Sequence, residues 1–422
     1  MAPYKPPHAQ TRTVAVVGAG PAGLMAAISA ARQNARVTLC EQMPQPGLKL
    51  LATGGGRCNL TNTLAADELM ARFGRDGRFM RHALDLMPPG RIREFFASIG
   101  VPTHAPDGFH VFPRSDSAAD VLAALRRACS ELSVRMLVHR RVDALRLSDG
   151  AAAGLETADG PLTADCVILA TGGKSYPSLG ATGSGYDIAR KAGHSITEPV
   201  PALVPLVSRE RWPRECAGAT LSPARIWIDL PRHGKGGRTG DILFTHQGVS
   251  GPAALDLSGD VSRLLQQRPD VPVCIDITPG TPAADWMARF DAWHKTAGRK
   301  MIRTLLDRHM PASLAEVVCS LANVAAQAHP AEVTRAQRQA LARLVTQLPL
   351  AITGTEGFAR AIVTRGGVSL KEVDPRTLQS RVVQNLFFAG EMLDLDGPTG
   401  GYNLTWAFAG GWLAGQRAGV AS

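Results

Sequence analysis

Apolar residues recur along the chain in short runs, and several runs are β-branched and bounded by glycine. Thr13–Val17 (TVAVV), Arg36–Cys40 (RVTLC), Cys166–Ala170 (CVILA) and Leu386–Ala389 (LFFA) are apolar at nearly every position. That pattern predicts strands buried on both faces, as in a parallel sheet. Leu24–Gln33 is Ala-rich and reads as a helix, as does Leu404–Arg417. Val134–Val138 and Arg141–Leu147 read as strand segments. Further along, Leu203–Val207, Ala224–Leu230, Ile242–Thr245 and Val271–Ile277 predict short strands. Ala284–Thr346 is helical by composition, with breaks at Pro311 and Pro330. The most apolar window, Ala15–Ala31, contains Gly18, Gly20, Pro21 and Gly23. It therefore reads as strand, turn and helix, not as a membrane span.

The first strand runs straight into Gly18-Ala19-Gly20-Pro21-Ala22-Gly23, and a helix follows. This GxGxxG has the context its chemistry needs. The first glycine permits the tight turn, the second admits a diphosphate to the backbone, and the third lets helix and strand pack closely. The helix start adds unpaired N–H groups and a partial positive charge. Glu41 closes the second strand, with Gln42 after it, where an acid accepts from the hydroxyls of an adenosine ribose. A carboxylate there repels a 2′-phosphate, so the dinucleotide expected is FAD or NAD, not NADP. The motif alone does not separate the two.

Later segments favour a flavin. The strand ending at Ala170 continues into Thr171-Gly172-Gly173, a return of the chain to the dinucleotide. Val142 stands where such proteins present backbone to the adenine. The late strand is followed by Gly390 and Glu391, a junction that places a carboxylate toward a ribityl chain. Gly400-Gly401-Tyr402-Asn403-Leu404 then opens the last helix, whose positive end would face the pyrimidine edge of an isoalloxazine. Residues 46–62 (PGLKLLATGGGRCNLTN) form a Gly-rich loop in which Lys49, Gly56, Arg57, Cys58 and Asn59 are candidate ligand contacts. Lys49 and Arg57 would bring positive charge near the phosphates.

With these blocks in view, the sequence resembles a bacterial flavoprotein family, the BaiN/RdsA-type NAD(P)/FAD-dependent oxidoreductases, some of them aminoacetone oxidase-like. VAVVGAGPAGLMAA, GLKLLATGGGRCNLTN, ATGGKSYPSLGATGSGYDIARKAGH and LFFAGEMLDLDGPTGGYNLTWAFAGG carry the likeness; Leu48 stands where many relatives have Arg. The resemblance implies an α/β fold: a glutathione-reductase-type Rossmann FAD domain interrupted by a β-barrel-like insert with a small helical subdomain. It implies noncovalent FAD. On that layout residues 1–195 and 356–422 form the FAD domain and 196–355 the insert, with helices over about 281–346.

Charge and cysteines narrow the function. The chain carries 46 Lys and Arg against 36 Asp and Glu, a net charge of +10. Residues 72–141 hold twelve Arg against seven acids, and 205–240 seven basic against three acidic residues. No nucleic-acid motif accompanies them, so nucleic acid is not expected as the main partner. Seven widely spaced cysteines, none in CxxC, predict inert thiols and neither a disulfide framework nor a zinc site. No HxH or HExxH spacing suggests a metal. The short Pro-rich start has no apolar core, so a soluble, cytoplasmic protein is expected.

Only one complete GxGxxG is present. Gly180-Ala181-Thr182-Gly183-Ser184-Gly185 lacks the acid of a second dinucleotide site. The expected activity is FAD-dependent hydride transfer between a small organic donor or NAD(P)H, bound transiently, and an acceptor. No residue stands out as catalytic base. His246 is a candidate acid/base or an ordinary loop histidine, and His104 and His110 flank a turn at Pro106–Phe109. An RNA-modifying flavoenzyme and a non-catalytic flavin sensor are the alternatives.

Overall fold

The computed structural model describes residues 11–233, 236–297 and 300–420. The Pro-rich start up to residue 10, read above as having no apolar core, lies outside the described residues. The chain divides into two compact units, Met1–Pro199 with Val363–Ser422, and Val200–Ile362.

The first unit is built on a five-stranded parallel sheet. Its strands are β1 (Thr13–Val17), β2 (Arg36–Cys40), β3 (Arg135–Leu137), β4 (Cys166–Leu169) and β5 (Leu386–Phe388). They lie in the order β5-β4-β1-β2-β3. All positions of β4 and β5 are buried, as are four of the five in β1. This is why their sequences are apolar throughout: helices cover both faces of a parallel sheet. The chain builds outward from β1 to β2 and β3, then crosses to β4 and β5 on the other side. The order therefore reverses at β1/β4, and at such a switch point the loops after the two strands diverge and leave a crevice. Gly18 follows β1 and Ala170 follows β4.

Helix α1 (Pro21–Ala31) and the last helix, α2 (Tyr402–Gly419), pack side by side. A Cβ built on Gly411, Gly415 or Gly419 would lie 2.3, 2.1 or 2.9 Å from the carbonyl oxygens of Ala22, Ala26 and Ala30. Small residues one turn apart thus bring the two backbones into contact, and the matching register makes the helices parallel. Gly411 is level with Ala22, so α2 begins nine residues earlier. Since α1 itself opens one residue before Ala22, at ~1.5 Å per residue the α2 opening lies about 12 Å beyond that of α1, in the same direction. Val142 lies elsewhere in this unit, at the start of the strand Val142–Ser148, which pairs with Ala151–Thr157 in a separate three-stranded antiparallel sheet.

The second unit is a closed six-stranded antiparallel barrel. The strands run in the order Leu206–Ser208, Gly248–Ser250, Arg238–Phe244, Thr220–Ile228, Val271–Asp276, Leu348–Thr355 and back to the first. Gly248–Ser250 and Leu348–Thr355 were not anticipated as strands. The first is too short and Gly-rich to show a period, and the second follows directly on a helix. Helices Ala283–Thr296, Ile302–Leu306, Ala312–Leu321 and Arg335–Thr346 fill the connection between two neighbouring barrel strands. Thr334 and Gln337 form a capping box at the start of the last of these. His246 is exposed in the turn before Gly248–Ser250.

Candidate functional site

The GxGxxG turn separates its three glycines by role. Gly18 has φ +96°, and a Cβ there would lie 2.6 Å from the Ala170 carbonyl oxygen. A Cβ on Gly23 would lie 1.8 Å from the Gly18 carbonyl oxygen. Both positions are closed by the fold. Gly20, the N-cap of α1, meets nothing within 4 Å and faces open space. No side chain caps this helix. The first-turn amides of Ala22 and Gly23 have no intrahelical acceptor by helix geometry, and Pro21 has no N–H to offer. An open glycine beside a free helix start is the shape of an anion cradle.

Glu41 stands at the end of β2. Its Oε2 accepts from Ala19 N at 2.8 Å and its Oε1 from Met43 N at 2.8 Å, so the carboxylate ties the glycine turn to the strand end. Gln42 Nε2 donates to the Gly180 carbonyl at 2.7 Å. This places Gly180 beside the first motif, not in a second dinucleotide fold. Arg140 N donates to the Glu41 carbonyl at 2.7 Å. Its side chain pairs with Asp159, yet its Nε is buried with no partner. A buried donor without an acceptor costs roughly 1–3 kcal/mol unless a ligand supplies one.

The Gly-rich loop is more ordered than its composition predicts. Leu48–Leu51 forms one helical turn and Thr53–Gly56 a 3₁₀ segment, with Gly54 and Gly55 in the left-handed region. Gly55 and Gly56 again face open space. The Arg57 guanidinium lies 4.4 Å from the centre of the Phe112 ring, an exposed cation–π contact. Cys58 is fully buried, and burial pushes its thiol up to about 12. With its amide oriented to match its neighbours, Asn59 donates to the Thr61 and Val111 carbonyls and accepts from Gly401 N at 3.0 Å. Asn59 therefore shapes the α2 opening from within.

The expected charges are redistributed. Lys49 Nζ lies 2.7 Å from Glu391 Oε2 and 2.6 Å from Ser175 Oγ. Glu391 Oε1 accepts from Thr364 N at 2.7 Å and Ser175 Oγ at 3.0 Å. Lys49, expected near phosphates, thus holds Glu391, and the Glu391 carboxylate is a junction of three segments. Ser175 and Thr364 were not candidates from sequence; isolated hydroxyl residues carry no signal until the fold brings them together. Thr171 Oγ1 donates to Met392 Sδ at 2.7 Å, and Gly172 is left-handed at φ +73°. Tyr186 donates to the Glu391 carbonyl at 3.4 Å; burial, then the Glu391 and Asp394 charges, raises its phenol.

At the far end, Gly390 is left-handed and lies against Ala22, and its carbonyl accepts from Trp406 Nε1 at 3.1 Å. Gly400 and Gly401 have φ of +111° and +83°, and a Cβ on Gly401 would lie 2.5 Å from the Thr61 carbonyl oxygen. Asn403 is turned inward, accepting from Gly397 N and donating to the Gly397 and Pro398 carbonyls. Tyr402 is buried against Phe73, and Leu404 is half-buried. Asp396 is gripped by Arg365 through two atoms of each side chain. These contacts fix a second uncapped helix start in the same unit as the first.

The residues fit a dinucleotide-linked ring system: two uncapped helix openings displaced along one direction, an open glycine beside the first, and an unmet donor near Glu41. Among the described residues no helix is long and apolar enough to cross a membrane. All seven cysteines are free and buried.

Residues 12–417 match the family model described as HI0933-like protein Rossmann domain. The chain is 37% identical over 408 residues to a 3-dehydro-bile acid delta(4,6)-reductase of Clostridium scindens, covering 96% of this chain and 98% of that protein. It is 29% identical to a ribosomal RNA dihydrouridine synthase of Escherichia coli, covering 95% and 96%. A 3-ketosteroid delta1-dehydrogenase from Sterolibacterium denitrificans, in complex with 1,4-androstadiene-3,17-dione, shares the fold. Its TM-score is 0.50 at 13% identity, over 97% of this chain and 100% of that one.

Proposed function

Because the chain belongs to the HI0933-like Rossmann family, we infer that it is a FAD-dependent oxidoreductase that saturates a carbon–carbon double bond conjugated to a carbonyl. The observation carrying this reading is the pair of parallel, uncapped helix starts, α1 for a diphosphate and α2 for the ring. The chemistry comes from what the two named relatives share. A 3-oxo-4,6-diene and a uridine ring both present an alkene in conjugation with a carbonyl, and both names describe its reduction.

The amides of Ala22 and Gly23 would bind the diphosphate beside the open face of Gly20, and Glu41 with Gln42 would border the ribose. Glu391, locked by Lys49, Ser175 and Thr364, would border the ribityl end. The amides opening α2, with their partial positive charge, would hold the ring's polar edge. When bound, FAD supplies the electron pair as hydride. The chain's own part is to orient substrate, exclude water and deliver a proton. A dihydronicotinamide bound transiently would reload the cofactor.

The test is direct. Purified protein loaded with FAD is mixed anaerobically with NADH or NADPH, then with a 3-oxo-4-ene steroid. Bleaching of the visible flavin band and its return on adding the steroid are expected. A band that bleaches and stays bleached removes the alkene as acceptor.

A second substrate class is an RNA base. The net charge of +10 and the exposed Arg72, Arg75 and Arg78 around the Gly74–Met80 segment favour it.

A further inference from the structure

Alkene saturation needs a proton as well as a hydride, and neither the family match nor the site residues above supply a donor. The ring-side helix opening has few titratable groups to choose from. Lys49 and Glu391 hold each other, Arg365 and Asp396 are paired, the Cys58 thiol and the Tyr402 ring are buried, and the buried Tyr186 hydroxyl donates to the Glu391 carbonyl. His110 differs. Its Nε2 lies 3.4 Å from where a Cβ on Gly400 would stand, one residue before the N-cap of α2. The Gly400 carbonyl is itself held by Asn62 Nδ2 at 3.0 Å.

The imidazole is set up to carry a proton. Nδ1 lies 2.5 Å from Asp107 Oδ2, while Asp107 Oδ1 accepts from the amides of Phe109 and His110 at 2.9 and 2.8 Å. The carboxylate is therefore fixed, and it fixes the ring in turn. With Nδ1–H donated to Asp107, Nε2 is the atom that gains and loses the proton. Among the described residues Nε2 has no hydrogen-bond partner, and the side chain is 38% exposed. Phe109 packs edge-on at 4.8 Å and limits the ring's rotation. This is the logic by which a carboxylate sets the tautomer and orientation of a catalytic imidazole.

We propose that His110, oriented by Asp107, is the proton donor to the substrate at the α2 opening. The inference rests on the reductase reading above. In the step, the alkene π bond breaks and two C–H bonds form. The carbon distal to the carbonyl receives hydride, whose electron pair comes from reduced FAD. The carbon beside the carbonyl receives H⁺ from His110 Nε2. The substrate is reduced, the cofactor oxidised, and His110 is reprotonated by water. The charged and titratable groups packed near the ring are Asp107 on its own turn, Tyr402 across Gly400, Arg57 over Phe112, and His104 on the adjoining strand with its partner Asp116. None but Asp107 touches the imidazole through a hydrogen bond.

The experiment compares wild type, His110→Gln and Asp107→Asn. First, histidine NMR of the cofactor-free protein is followed against pH. One resonance should vanish in His110→Gln and lose its fixed Nδ1–H tautomer in Asp107→Asn; an unchanged tautomer breaks the coupling on which the proposal stands. Second, dithionite-reduced holoprotein is mixed with 4-androstene-3,17-dione. Wild-type reoxidation should slow as pH rises through the NMR midpoint. His110→Gln should be at least tenfold slower at low pH and flat, with unchanged FAD retention. Equal rates and equal pH profiles overturn the proposal and leave the reductase reading standing. If wild type itself is not reoxidised, the reductase reading fails. Binding of p-chlorophenol, an enolate mimic, to oxidised holoprotein then decides. At least tenfold weaker binding in His110→Gln upholds the His110 contact, and equal binding overturns it.

Discussion

Single residues in the first unit act mostly by holding one another. His194 is the sharpest case: its side chain is fully buried, with Nδ1 3.2 Å from Glu372 Oε2 and Nε2 2.8 Å from Ser380 Oγ. The chain of contacts runs Ser, His, Glu, as in a hydrolase, but the serine is buried and its Oγ accepts from Val382 and Val383 amides. It pins the segment beside β5; it is not a nucleophile. Burial holds the His194 imidazole below its usual 6.5, with Glu372 opposing. The unfolded chain thus binds the extra proton first as pH falls. Stability from this site is intact above about pH 6.5 and is lost as pH drops through the folded value. Burial opposes ionisation of Glu372, but bonds from Ser195 and His194 outweigh it and lower its carboxyl. A further loss follows below its usual 4.5. Urea midpoints measured from pH 8 to pH 5 should fall in wild type and fall less in His194→Gln. Parallel curves would show that the imidazole does not carry the effect.

Among the elements, the α1–α2 pair decides where the two helix starts stand. Gly411, Gly415 and Gly419 leave no room for a Cβ, because the atoms they would meet are backbone carbonyls of α1. Flexible side chains yield to an added methyl, whereas helix backbone does not. Gly415→Val should therefore destabilise by about 3 kcal/mol, at the upper end of overpacking costs. Forced apart, the helices would also lose register at the two openings. Calorimetry and FAD titration on the same variant should show both losses. A variant that melts like wild type and retains FAD would contradict the close packing.

Across the whole molecule, the excess of basic residues bears on the choice between a steroid-like and an RNA substrate. Backbone phosphates bound by Arg release counterions, so affinity falls steeply with salt. If the RNA reading holds, anisotropy with a ribosomal RNA fragment should show binding at 50 mM salt that weakens by about 10³-fold or more by 200 mM for six or more phosphate contacts. Binding that is absent at low salt would leave the small conjugated carbonyl as the substrate class.

Local pattern was enough to identify the parallel-sheet strands, because burial on both faces demands unbroken apolar runs. It was also enough to place the GxGxxG turn between strand and helix, since only glycine fits Gly18 and Gly23. The resemblance carried the barrel insert, yet two of its six strands, Gly248–Ser250 and Leu348–Thr355, had no readable period. The locking of Glu391 by Lys49, Ser175 and Thr364 was invisible, as was the approach of His110 to Gly400. Those contacts join residues tens to hundreds of positions apart. Periodicity and spacing report what a segment needs from its surroundings; which partner meets that need is set only when the sheet order and the two parallel helices bring distant segments together.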